Sequence, residues 1–145
     1  MSYSQDTDLT NDIITQAELV QLTDDEGLGS VNTARTAAAR AKIDELIDGH
    51  LRAGGYTLPL AATPPMLKSI SLDGTVYYLW ERKKKHNMPE GMKDKIKAIM
   101  ALLIRIQKRQ ILIGADAAVE QASGNYKTNK TSDDRVFTKD KLDTY

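Results

Sequence analysis

Side chains that most often carry chemistry are scarce: the chain holds two histidines, His50 and His86, and no cysteine. Disulfides, thiolate metal sites and thiol catalysis are thereby excluded. His50 falls inside an amphipathic pattern and His86 closes a basic run, so no histidine metal-site spacing can be written. Asp44 and Asp48 share a helix face, as paired acid–base carboxylates would, yet they lie away from the apolar stripe and read as a solvated face. Asp24, Asp25 and Glu26 lack the spacing and closing glutamate of an EF-hand loop and read as a solvated turn. The GLGS that follows has no strand before it, so it is no phosphate-binding loop, and no G-x-S-x-G pattern occurs. The sequence therefore predicts a protein that is not an enzyme and holds no cofactor or metal.

One cluster remains. Arg82, Lys83, Lys84 and Lys85, in the run ERKKKH, suit DNA or an acidic partner contacted without sequence readout. The structural alternative is that cations at a helix C-terminus are favoured by the backbone dipole. Tyr77, Tyr78 and Trp80 just before them have the helical spacing of core aromatics, a base-stacking platform being the other reading.

The elements that must position these residues follow from periodicity. Residues 1–14 are polar and acidic and read as a loosely held arm, anchored only by Tyr3, Leu9, Ile13 and Ile14. Thr15 and Glu18 form a T-x-x-E capping box for a helix of about two turns ending near Asp24. Asn32 caps a helix to about Arg52, in which Ile43, Leu46, Ile47 and Leu51 make the apolar face. Its first half presents Ala34, Ala37, Ala38 and Ala41, small enough to admit a close neighbour, though alanine is also simply the best helix former. Gly54 and Gly55 end it, and Pro59 keeps Tyr56–Leu60 as an extended strap. Thr63, Pro64 and Pro65 start a helix to about Lys85, with Asp73 and Gly74 mid-helix marking a kink or a close contact. Pro89 opens the last helix, to about Ile113. Its segment 98–104 is apolar nearly all round and predicts burial on more than one side.

The fold class expected is all-α, a small bundle of about four helices with the last one as its axis, over residues 1–114. Residues 115–145 read as a flexible C-terminal arm. Its end, RVFTKDKLDTY, carries Val136, Phe137, Leu142 and Tyr145, which a purely solvated tail has little reason to hold. Docking in a groove on a neighbouring subunit is the reading, against docking on its own domain or staying free.

Formal charge sums to zero over 145 residues but is uneven. There are 4 basic and 10 acidic residues up to Ala62, 11 and 4 from Thr63 to Gly114, and 5 and 6 beyond. Folding the halves together, or stacking identical subunits head to tail, would neutralise this dipole. The start MSYSQDTDL lacks the pattern of a signal peptide, and the longest apolar run is far too short to span a bilayer, so a soluble protein without membrane contact is expected.

The Ala-rich helix, Ile43-Asp44 with Leu46 beyond, the Tyr56–Leu60 strap YTLPL, and the proline-started Tyr- and Leu-rich helix together resemble the Mu-like phage head–tail connector (adaptor) family. The likeness runs from about Tyr3 to Gly114 and returns at RVFTKDKL. Members often carry an arginine just before the strap's tyrosine, where this chain has Gly55. The resemblance implies a virion protein, assembled in the bacterial host cytoplasm, that joins identical subunits in a ring, commonly dodecameric, beneath the portal protein. Tail or head-completion proteins would be its other partners, and packaged DNA would pass through the ring. Tyr56, Leu58, Pro59, Leu60, Arg135, Val136, Phe137, Leu142 and Tyr145 would then contact a subunit or partner, and Arg82–Lys85 the DNA or portal. A small helical nucleic-acid-binding module using Arg82–Lys85 is the alternative from another class.

Overall fold

The computed structural model describes residues 1–84 and 88–114. Lys85, the arm 115–145 and its residues Arg135, Val136, Phe137, Leu142 and Tyr145 lie outside the described residues. Five helices follow in order: α1 (Asp6–Asp12), α2 (Gln16–Thr23), α3 (Thr33–Ala53), α4 (Pro65–Lys84) and α5 (Glu90–Gln107). Among the described residues there is no strand, so the expected all-α class holds, with five helices where about four were expected.

The start signals act as their chemistry requires. Thr15 Oγ1 accepts the Glu18 N–H at 3.3 Å while the Glu18 carboxylate accepts the Thr15 N–H at 3.0 Å, a reciprocal box that satisfies two orphan donors. Asn32 Oδ1 accepts the Arg35 N–H at 3.2 Å and opens α3. The additional helix is α1, in the stretch expected to be loose. Leu9 is fully buried against Leu72 and Val76 of α4, and Tyr3 is 3% exposed. Seven residues cannot hold a helix alone, so this docking supplies its stability.

The axis of the bundle is the α3–α4 pair rather than the last helix. Both contact every other helix, whereas α5 lies across the two. Gly74 is the cause: a Cβ there would stand 2.4 Å from Ile43 Cγ1, so only a glycine lets the helices approach this closely. Ile43, Ile47, Leu51, Leu67, Leu103 and Ile106 fill the resulting core with no exposed surface. Each such side chain stabilises the fold by about 1.5–3 kcal/mol relative to leaving it in water.

The last helix stops at Gln107 instead of Ile113 because Arg109 takes a left-handed conformation, φ 55°. The Arg109 N–H bonds Ile106 O at 2.9 Å and the Gln110 N–H bonds Arg105 O at 2.9 Å, the paired bonds of a Schellman motif. The end of α3 repeats the motif with Gly55 (φ 75°), through Gly55 N–H to Arg52 O at 2.9 Å and Tyr56 N–H to Leu51 O at 3.0 Å. The two ends lie side by side, and Arg109 joins them by donating to Gly54 O (2.8 Å) and Gly55 O (3.0 Å). Nor is α5 covered on more than one side by the described residues. Ile99, Leu103 and Ile106 face the core while Ala98, Ala101 and Ile104 are exposed.

Candidate functional site

Asp44 and Asp48 are not a solvated face: they are 6% and 7% exposed, beneath the N-terminal segment. Tyr3 donates its hydroxyl proton to Asp48, Ser71 Oγ donates to Asp44 at 2.7 Å, and the Ser4 and Ser71 hydroxyls share a hydrogen bond at 2.8 Å. Arg40 extends this latch by donating to Ser4 O at 3.1 Å and pairing with Asp6. Burial pushes the Asp44 carboxyl above its usual range against the opposing Ser71 bond. It also raises the Tyr3 phenol, assisted by the Asp48 carboxylate it bonds. Hydrogen-bonded buried carboxylates of this kind hold a segment down. The Tyr3 and Ser71 hydroxyls point into these carboxylates and Ser4 joins them through Ser71, so the arrangement acts as a latch between the N-terminal segment, α3 and α4.

The acidic turn is likewise built rather than merely solvated. Asp24 accepts the N–H groups of Gly27 (2.8 Å), Leu28 (3.1 Å) and Gly29 (2.7 Å), and Gly27 and Gly29 supply the positive φ this wrapping needs. Asp25 gathers three cations: Arg82 at 2.6 Å, Arg35 at 3.0 Å and Lys83 at 3.1 Å. Arg82, then Lys83, hold its carboxyl well below the usual carboxylate range. Arg82 also donates to Leu22 O at 2.7 Å and Lys83 to Asp24 O, so both close the end of α2 onto α4. Two members of the basic cluster are thus engaged within the chain, while the Lys84 side chain and Lys85 lie outside what is described. Part of the charge dipole is neutralised in the same way, Lys68 meeting Asp8 at 2.8 Å.

Of the strap, Tyr56 and Leu60 are 5% and 8% exposed and belong to the core of their own chain, Leu58 is half-buried, and Pro59 faces outward. The Arg109 guanidinium stacks over the Tyr56 ring, 4.8 Å from its centroid, at the place where Gly55 brings no side chain. Ala34, Ala37, Ala38 and Ala41 are all exposed, so the small-residue face of α3 is open within the described chain.

Sequence reasoning missed the groove between α4 and α5. Tyr77, Tyr78, Ile96, Met100, Ala101 and Ile104 line it, with Glu81 and Lys97 at its edges. Tyr77 and Tyr78 meet edge to face at 5.4 Å, and Lys42 Nζ lies 5.6 Å from the Tyr78 ring centroid. The signal was present in the all-round apolar segment 98–104, which one packed side does not consume.

Among the described residues no three His, Cys, Asp or Glu side chains cluster as metal ligands, and no helix is long and apolar enough to cross a membrane. No curated protein matches the chain. Residues 3–130 match the family described as Bacteriophage Mu, Gp36, a span that takes in all five helices and the strap. The chain therefore belongs to the Bacteriophage Mu, Gp36 family of phage proteins.

Proposed function

We propose that the protein is a structural phage protein that connects the head, at its portal, to the tail, as one subunit of a ring through which packaged DNA passes. The observation that carries this reading is the family match over residues 3–130. It is supported by a fold whose polar clusters serve as internal latches, and by two faces with packing left to give, the alanine stripe of α3 and the α4–α5 groove. Small exposed residues let a neighbour's helix come close, as side-by-side subunits require. The protein would act without catalysis, in the virion, against the portal and the next tail or head-completion protein. The engagement of Arg82 and Lys83 by Asp25 weighs against a free-standing nucleic-acid module built on that cluster.

The test is removal of the gene from a phage that carries it, followed by electron microscopy of the lysate. DNA-filled heads and unattached tails, restored to whole virions by the gene in trans, are expected. Whole infectious virions without the protein would overturn the reading. Steeply salt-dependent binding of the isolated protein to duplex DNA would favour the nucleic-acid module instead.

A further inference from the structure

The α4–α5 groove has a volume of about 540 Å³, and among the described residues Glu81 and Lys97 are the only charged side chains in an otherwise largely apolar lining. Ile104 on its rim is 44% exposed although it sits in the most apolar stretch of the chain. A concave, mostly apolar lining of this kind offers room for the apolar side chains of another segment.

The chain itself carries a segment suited to it. Thirty-one residues follow Gly114, and residues 115–132 hold few large apolar groups. The end, RVFTKDKLDTY, concentrates Val136, Phe137, Leu142 and Tyr145, and Phe137 is the single phenylalanine of the protein. The 22 residues from Gly114 to Val136 can span roughly 70 Å when extended, so the segment can turn back and reach the groove. Charge is compatible as well: Glu81 in the α4 wall answers Arg135, while Lys97 in the α5 wall already pairs with Asp94 at 3.2 Å.

We propose that Arg135–Leu142 of this chain docks in the α4–α5 groove, with Phe137 packed against Tyr78, Met100 and Ile104. Docking completes the second side of α5 and covers the two tyrosines. It does not depend on the head–tail reading, because both groove and occupant belong to this chain.

The absence of cysteine makes the test direct. In the full-length chain, Ala101→Cys in the groove is paired with Thr138→Cys beside Phe137. A control chain pairs Thr138→Cys with Ala37→Cys, which lines a separate concavity near Asp44 and Asp48. Disulfide formation under mild oxidation is followed by non-reducing electrophoresis and peptide mass spectrometry. The groove pair is expected to close at least about tenfold faster than the control, from the raised effective concentration of a docked segment. Adding Phe137→Asp should return it to the control rate. A 101–138 linkage in a product of single mass places the segment on its own chain, and the same linkage at double mass on a neighbouring copy; both support the assignment. A double-mass product linked only 101–101 or 138–138 overturns it. Equal rates in the two pairs also overturn it. So does a fast groove pair unaffected by Phe137→Asp, which would mean that residue 138 reaches the groove without Phe137 packing in it.

Discussion

Replacing Gly74 by alanine sets two known effects against each other. At an open helix position the change gains up to about 1 kcal/mol, because alanine loses less backbone freedom than glycine. At Gly74 the new Cβ would lie 2.4 Å from Ile43 Cγ1, 2.6 Å from Cδ1 and 3.0 Å from Cβ. Ile43 is fully buried, so it cannot swing aside, and α3 and α4 must separate. Overpacking of this kind costs about 1–3 kcal/mol, and contact with three atoms of one side chain places it in the upper part of that range. The net expectation is a loss of about 1–2 kcal/mol, read as a drop of about 0.5–1 M in the urea midpoint at unchanged slope. Gly49→Ala on exposed α3, where a Cβ meets nothing within 4 Å, is the control and should gain up to about 1 kcal/mol. Ile43→Ala should relieve the clash, so the double variant should be more stable than the two single losses predict by at least about 1 kcal/mol. A stabilising Gly74→Ala, or losses that simply add, would refute the claim that this contact sets the helix spacing.

Other predictions probe the latches. Arg109→Ala removes the clamp on Gly54 O and Gly55 O and keeps the left-handed strain, whereas Arg109→Gly removes both. The glycine variant should therefore be the more stable of the two by about 1 kcal/mol in thermal unfolding. Tyr3 has its pKa raised on folding, so its stabilisation is complete below the ordinary tyrosine value of about 10 and is lost as pH rises beyond it. Tyr3→Phe should flatten that alkaline decline in a pH series of melts. Asp25 has its pKa lowered, so its contribution is present above the ordinary carboxylate range and fades as pH falls through the folded value. Asp25→Asn should weaken the acid dependence, and added salt should narrow the difference between variant and parent at neutral pH.

The helices were legible because their signals are local. Thr15 with Glu18, Asn32, Pro65 and the glycine pair at 54–55 each act within a turn of their own position. The docking of residues 1–14 was not legible, because its reason lies far along the chain: Leu9 needs Leu72 and Val76, and Tyr3 needs Asp48. The same distance hid the fate of Asp44 and Asp48, which look solvated on a wheel until the N-terminal segment covers them. At Arg109 the local signal pointed to Gly114 as the helix end, and a non-glycine residue took the left-handed position because its guanidinium finds two carbonyls and a tyrosine ring. The Arg82–Lys83 cluster was visible as charge, but its partner Asp25 was hidden in a turn 57 residues away.

The shared end of α3 and α5 also bears on how the protein would carry a load. A pull on the chain beyond Gly114 meets Ile113, buried in the core, and then Arg109, whose guanidinium grips the end of a different helix. A Cβ on Gly54 would already touch Gln107 at 3.1 Å, so the two ends cannot slide past one another without breaking that grip. Tension would thus pass sideways into the core helix α3 as shear, instead of peeling α5 open one turn at a time. A tether fixed in this way lets a terminal segment be tugged while the body keeps its shape.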